Sequence, residues 1–70
     1  MAGEQVARVS EIIAASPKSF DDAIKVGFNR ASKTLRGITG IKVLDFRVNI
    51  ENDAIQEYRV RMEVIFLLEN

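Results

Sequence analysis

"IKVLDFRVNIENDAIQEYRVRMEVIFLL", residues 41–68, is the stretch whose reading decides the fold. Ile41 to Ile50 reads as a strand with Leu44, Phe46, Val48 and Ile50 on one face, because successive side chains of an extended chain point to opposite sides. Glu51 to Ala54 is a polar turn in which Asn52 and Asp53 tolerate left-handed backbone. Ile55 to Leu68 then alternates again, with Tyr58, Val60, Met62, Val64, Phe66 and Leu68 directed to a core. Two alternating runs joined by so short a turn predict an antiparallel hairpin.

The opposite side of the last strand begins charged, with Glu57, Arg59, Arg61 and Glu63, and ends apolar, with Ile65 and Leu67. Apolar side chains on both faces require cover on both, and one helix covers only one face of a sheet. A second subunit is the economical cover for the other, which places Ile65 and Leu67 at an oligomer interface.

Working outward, "QVARVSEIIAA" from Gln5 to Ala15 alternates imperfectly and predicts a first strand. In "SPKSFDDAI", Ser16 or Ser19 can cap a helix, and Pro17 suits a first turn because its missing N–H has no partner there in any case. Phe20, Ala23, Ile24, Gly27, Ala31 and Leu35 follow helical spacing, with Phe28 at the margin of the stripe. Asp21 and Asp22 near the start and Lys33 and Arg36 near the end complement the helix dipole. Asp21 and Lys25 are placed to pair across one turn, worth about 0.3–0.5 kcal/mol. Gly37 is the expected helix stop. The order is β-α-β-β, an α+β domain spanning residues 1–70.

Composition narrows the function. A chain of 70 residues buries only about 60% of its unfolded surface, so its own core leaves a thin margin. Such folds gain stability from disulfides, metals or partner subunits. The absence of cysteine and histidine removes disulfides, the common zinc constellations and the Ser-His-Asp and Cys-His nucleophiles. Self-association remains, and an enzyme is disfavoured. Ten basic and ten acidic residues cancel, which argues against nucleic acid as the partner. The apolar run Val64 to Leu68 is too short to span a bilayer, and "MAGEQVARVSE" lacks the features of a secretory signal. The expectation is a cytoplasmic protein without membrane partners.

Gly37 and Gly40 in "RGITGIKV" match neither nucleotide-binding glycine fingerprint. The pair Asp21/Asp22 reads as helix-start electrostatics and Glu51/Asp53 as a solvated turn. Glu51, Asn52 and Asp53 offer oxygen ligands to calcium without the spacing of a calcium loop. Arg59 and Arg61, beside Arg47 or Lys42 on the neighbouring strand, form a candidate anion-binding strip. The competing expectation is that they pair with Glu57, Glu63, Glu11 and Asp45 across the sheet.

The segments "RVSEIIAASPKSFDDAI", "NRASKTLRGI" and "EYRVRMEVIFLLEN" together resemble the dodecins, over roughly Val6 to Glu69. The resemblance implies a small cytoplasmic protein whose three-stranded antiparallel sheet wraps one helix, assembled as a hollow homododecamer. Its best-known members store riboflavin or FMN as stacked pairs between subunits. Some bind coenzyme A, and a flavin-poor branch is associated with calcium. The stacking tryptophan of the flavin-binding members falls at Gly40, and the glutamine that meets the flavin's polar edge falls at Arg59, after Tyr58. An aromatic stack contributes about 0.5–1.5 kcal/mol beyond area burial, and arginine donates hydrogen bonds but accepts none. The resemblance therefore implies a small-ligand storage shell in which stacked flavin binding is weak or lost. One alternative is flavin storage in an altered pocket built on Tyr58, Ile41 or Arg59. Another is a structural or calcium-associated shell without an organic ligand.

Overall fold

Four elements, β1 (Ala7–Ser16), α1 (Phe20–Ala31), β2 (Ile38–Glu51) and β3 (Ala54–Leu67), follow one another in the computed structural model, which describes residues 4–68. Residues 1–3 and 69–70, at the ends of the expected domain, lie outside the described residues. The three strands form one antiparallel sheet in the order β1-β3-β2, so the chain's last strand is its central one.

The β2–β3 turn is made by Asn52 and Asp53, at φ 54° and 62°. Two successive left-handed residues give the two-residue turn whose twist matches that of the flanking strands. Ser19 caps α1: its backbone is extended and its Oγ accepts from the Asp22 N–H at 3.0 Å. Ser16 is buried at the end of β1, where its Oγ donates to Asp22 Oδ2 at 2.6 Å and accepts from the Lys18 N–H at 3.0 Å. These bonds fix the angle at which the helix leaves the strand.

The core lies between α1 and one side of the sheet. Ala14, Ala23, Val60 and Met62 form its buried centre, with Ile12, Phe20, Ile24, Ile41 and Val43 packed around it. Gly27 is the point of closest approach, since a Cβ there would stand 2.8 Å from Met62 Cε and 3.1 Å from Ala14 Cβ.

Several expectations are corrected. The helix ends at Ala31, with Ser32 as its cap, so Arg30 rather than Lys33 or Arg36 occupies the last turn. Lys33, Thr34 and Leu35 continue in turns that donate back to Arg30 and Ala31. Gly37 is therefore not the helix stop. It is the corner into β2, at φ 72°, where its carbonyl accepts from the Leu67 N–H at 3.0 Å. Strand β2 begins before Gly40 rather than after it, and it is irregular. Register shifts fall between Ile38 and Gly40, between Val43 and Asp45, and between Asn49 and Ile50. The middle one makes Leu44 the extra residue. Ile41 and Val43 thereby join Phe46 and Val48 on the side facing α1, opposite Val64, Met62, Val60 and Tyr58, and Leu44 drops out of the expected face. A bulge of this kind shifts side-chain phase by one residue. Leu68 lies past the end of β3 and is exposed. Among the described residues Asp21 and Lys25 form no ion pair.

A helix of 12 residues spans about 18 Å, whereas strands of 14 residues span about 46 Å. The helix packs on β1 and β3 and reaches β2 chiefly through Phe20, whose ring meets Phe46 at 5.0 Å and Tyr58 at 5.1 Å, edge to face. The far end of the hairpin projects beyond this cover, leaving Phe46, Ile50 and Ile55 more than half exposed.

Candidate functional site

The side of the sheet turned away from α1 carries the chain's organised polar chemistry. Antiparallel register sets its composition, because directly paired residues point to the same side. From β1 come Val9, Glu11 and Ile13; from β3, Glu57, Arg59, Arg61, Glu63, Ile65 and Leu67; from β2, Gly40, Lys42, Asp45, Arg47 and Asn49. No aromatic side chain stands among them. Phe20, Phe46 and Tyr58 cluster on the helix side instead.

At one end of this outer face Gly40 lies opposite Ile65, which is in turn opposite Val9. A Cβ at Gly40 would meet only Ile65 Cδ1, at an ordinary 3.8 Å. There is thus room for a side chain that the sequence does not supply. Ile65 and Leu67 are half-buried within one chain and Val9 is exposed, so this end is an apolar strip open on one side.

The middle of the face is a network of charges. Arg59 Nε and Nη2 donate to Glu57 Oε2 at 2.9 and 2.6 Å, and Asn49 Nδ2 donates to the same oxygen at 2.9 Å. Arg61 Nη1 donates to Glu11 Oε2 at 2.9 Å. Two of the four expected carboxylate partners are thus engaged, while among the described residues Glu63 and Asp45 form no ion pair. Arg47 stands directly opposite Arg59 and has no ion-pair partner among the described residues. Ile13, Asp45, Arg47, Arg59 and Arg61 enclose a depression of about 100 Å³. A larger hollow, about 520 Å³, lies between β1 and α1 and is lined mainly by apolar side chains, with Arg30 and Thr34 among the polar ones.

The sequence-derived candidates therefore separate. Arg47, Arg59 and Arg61 come together. Gly40, Ile65 and Leu67 share their face but sit farther along it, Ile65 being four residues from Arg61 and six from Arg59 on β3, about 13 and 20 Å. Tyr58 and Ile41 lie on the other side of the sheet, Tyr58 against Phe20 and Ile41 against the core. One chain alone does not bring Gly40, Arg59, Tyr58 and Ile41 into a single pocket. Sequence reasoning missed Ile13 as a wall of the depression; the alternation of β1 opposite Arg61 was the available signal. Among the described residues no three carboxylates gather where a metal ion could be held.

A planar ring needs a flat partner, and at Gly40 the outer face offers backbone and Ile65 rather than an aromatic ring.

Comparison with known proteins gives a consistent result. The family model described as Dodecin matches residues 6–69. A curated dodecin from Thermus thermophilus is 36% identical over 59 residues, covering 84% of this chain and 86% of that protein. The solved dodecin from Streptomyces davaonensis superposes with a TM-score of 0.92 at 34% identity, covering 97% of this chain and all of that one. A calcium-chelating immunodominant antigen from Mycobacterium tuberculosis, termed calcium dodecin and solved with a novel calcium-binding site, superposes at TM-score 0.81 and 26% identity over 91% of each chain.

Proposed function

The chain belongs to the dodecin family, and from that membership we propose that it is a cytoplasmic homododecameric shell that binds and stores a small ligand other than stacked flavin. One observation carries the reading: the outer face keeps an open apolar strip at Gly40, Ile65 and Leu67 and, farther along it, an arginine cluster, yet among its described residues presents no aromatic ring. Ile65 and Leu67 seal the contact between copies. Gly40 and Arg59 from different copies then border the ligand space, which a single chain holds about 20 Å apart. Tyr58 and Ile41 support that wall from behind, across the thickness of the sheet. The role is binding rather than catalysis.

The uncovered far end of the hairpin supports assembly independently. Phe46, Ile50 and Ile55 are large apolar side chains that one short helix leaves more than half exposed.

Purification under gentle conditions followed by native mass spectrometry tests the reading. The expected result is twelve subunits, colourless, with a non-flavin small molecule retained. A monomer would overturn the assembly, and retained FMN or riboflavin would overturn the loss of flavin. Gly40→Trp supplies the missing ring, and flavin titration of this variant should show tighter binding than the parent. An unchanged titration would mean that the space differs by more than one side chain. The calcium-chelating relative makes calcium the ion to test first, by whether its addition raises the melting temperature, since a ligand bound only by the folded state stabilises it.

A further inference from the structure

We propose that the hollow between β1 and α1 binds an aliphatic monocarboxylate, with Arg30 at the carboxylate and the carbon chain laid along the strand. The site flanks the packed centre of the helix side. It is separate from the outer face and goes beyond the ligand space assigned there.

The hollow exists because small residues meet along it. Gly27 and Ala31 are one turn apart on α1 and so share a face. The approach of Gly27 to Met62 and Ala14 sets the height of the helix. Beside that contact the short side chains of Ala15 and Ala31 leave about 520 Å³ unfilled, within the range of about 300–1,000 Å³ that small-molecule sites occupy.

Its walls are sorted by polarity along their length. The helix runs back along β1: Phe20 meets Tyr58, which is paired with Ser16, and Gly27 meets Ala14 and Ile12. Val26 and Gly27 therefore stand toward Ala14 and Ala15, whereas Arg30 and Thr34 stand toward Ser10. Ile12, Ile13 and Leu35 add branched aliphatic surface, and neither an aromatic ring nor a carboxylate is among the lining residues. Walls of this kind favour a chain over a planar ring, which needs a flat partner. Ser10 to Ala15 spans about 17 Å, so the chain has an extended wall to follow.

One cation at the polar end of an apolar trough selects an amphipathic anion. Arg30 has no ion-pair partner among the described residues, and its planar fork of donors matches a carboxylate. A helix C-terminus ordinarily opposes an anion through its free carbonyls. Here the carbonyls of Phe28, Arg30 and Ala31 accept from the backbone N–H groups of Ser32 to Leu35, and that of Asn29 accepts from Ser32 Oγ. An anion at this end meets a guanidinium rather than bare carbonyls. The Ser10 hydroxyl is a further donor on the strand side of the same end.

The test is calorimetric titration of the full chain with octanoate at fixed ionic strength, with acetate, octylamine and 1-octanol as comparison ligands. Saturable binding of octanoate is expected, with acetate undetected and octylamine and 1-octanol both weaker. Arg30→Gln should weaken octanoate about fivefold, to the level of 1-octanol, because the exposed guanidinium contributes a modest attraction. Arg30→Lys should lose less. Val26→Ser should weaken octanoate and 1-octanol alike, and Lys33→Gln, a neighbouring cation outside the lining, should change neither. Equal octanoate binding by the parent and Arg30→Gln would overturn the site, as would an equal loss in Lys33→Gln or octylamine bound as tightly as octanoate. Binding confined to Ile65→Asp, chosen to weaken the contact between copies, would show that a second copy fills the hollow and would also overturn it. Sedimentation of the same samples separates this proposal from the assembly reading. A dodecamer that takes no octanoate removes the site alone, and a monomer that takes it removes the shell alone.

Discussion

The side of the sheet that faces α1 and the side that faces away are built from the same three strands, yet they differ in what one chain can complete. On the helix side Val60, Met62 and Val64 are fully buried, the buried Ser16 side chain has both its hydrogen bonds, and Gly27 brings the helix as close as Met62 permits. On the outer side two ion pairs lie at the surface, one arginine faces another, and an apolar strip ends in open space at Gly40. Beneath the helix, short of the exposed far end of the hairpin, the first face is finished by local packing. The second is finished only by something added to it, and that difference is where stability and function part company.

Substitutions can break or sharpen this contrast. The largest effect is expected at the centre of the finished face. Met62→Ala removes a side chain with no exposed surface from beneath Gly27 and should cost about 2–5 kcal/mol, because the close helix–sheet contact leaves little freedom to collapse. Denaturant unfolding at one fixed protein concentration is the measurement, since the stability of an oligomer depends on concentration. A cost below 1 kcal/mol would mean that this face is less finished than its geometry implies.

On the outer face the matching substitution is Ile65→Asp. It should leave the helix-side core in place while weakening assembly at least tenfold, about 1.4 kcal/mol, because a carboxylate would be enclosed without a partner. Sedimentation and far-ultraviolet circular dichroism should diverge, with mass lost and secondary structure kept. Unchanged mass would place Ile65 in water.

The contrast was legible in the sequence to different depths. Alternation in Tyr58 to Phe66 gave the helix-facing side of β3, and the cap of α1 was narrowed to Ser16 or Ser19, of which Ser19 is the one used. These signals are local, and local signals survive folding. The helix end was misplaced because Leu35 continues the apolar period after the backbone has left it, and the true stop at Ser32 is a cap with ordinary helical angles. Leu44 was assigned to the wrong set because no residue type announces a bulge in β2; it follows from pairing with a regular β3. The arginine cluster was half legible. Its members were named from the strand pattern, but Arg47 facing Arg59 rather than Tyr58 depends on the same bulge, as does Asp45 facing Arg61 rather than Val60.

A smaller effect tests how α1 is set on the finished face. Ser16→Ala removes the bond to Asp22 and the acceptor for the Lys18 N–H. Asp22 retains access to water, so the loss should be near 1 kcal/mol rather than the larger penalty of a buried orphan. Urea unfolding detects it, and a cost above about 3 kcal/mol would show that this turn controls the whole helix–strand angle.

The smallest effect is expected from the Glu11–Arg61 pair, and it bears most directly on the comparison. Both side chains are close to half exposed, at 48% and 45%, so water and salt screen their attraction even at 2.9 Å. A double-mutant cycle with Glu11→Gln and Arg61→Gln should give a coupling of about 0.5 kcal/mol or less in the separated chain. If copies close over this face, water is excluded and the same 2.9 Å contact strengthens. The coupling measured in the assembled protein should then exceed that measured in the Ile65→Asp background and fall less with added salt. Equal couplings in the two backgrounds would mean that the charged middle of the outer face stays wet after assembly, leaving only the Gly40–Ile65–Leu67 end to be sealed.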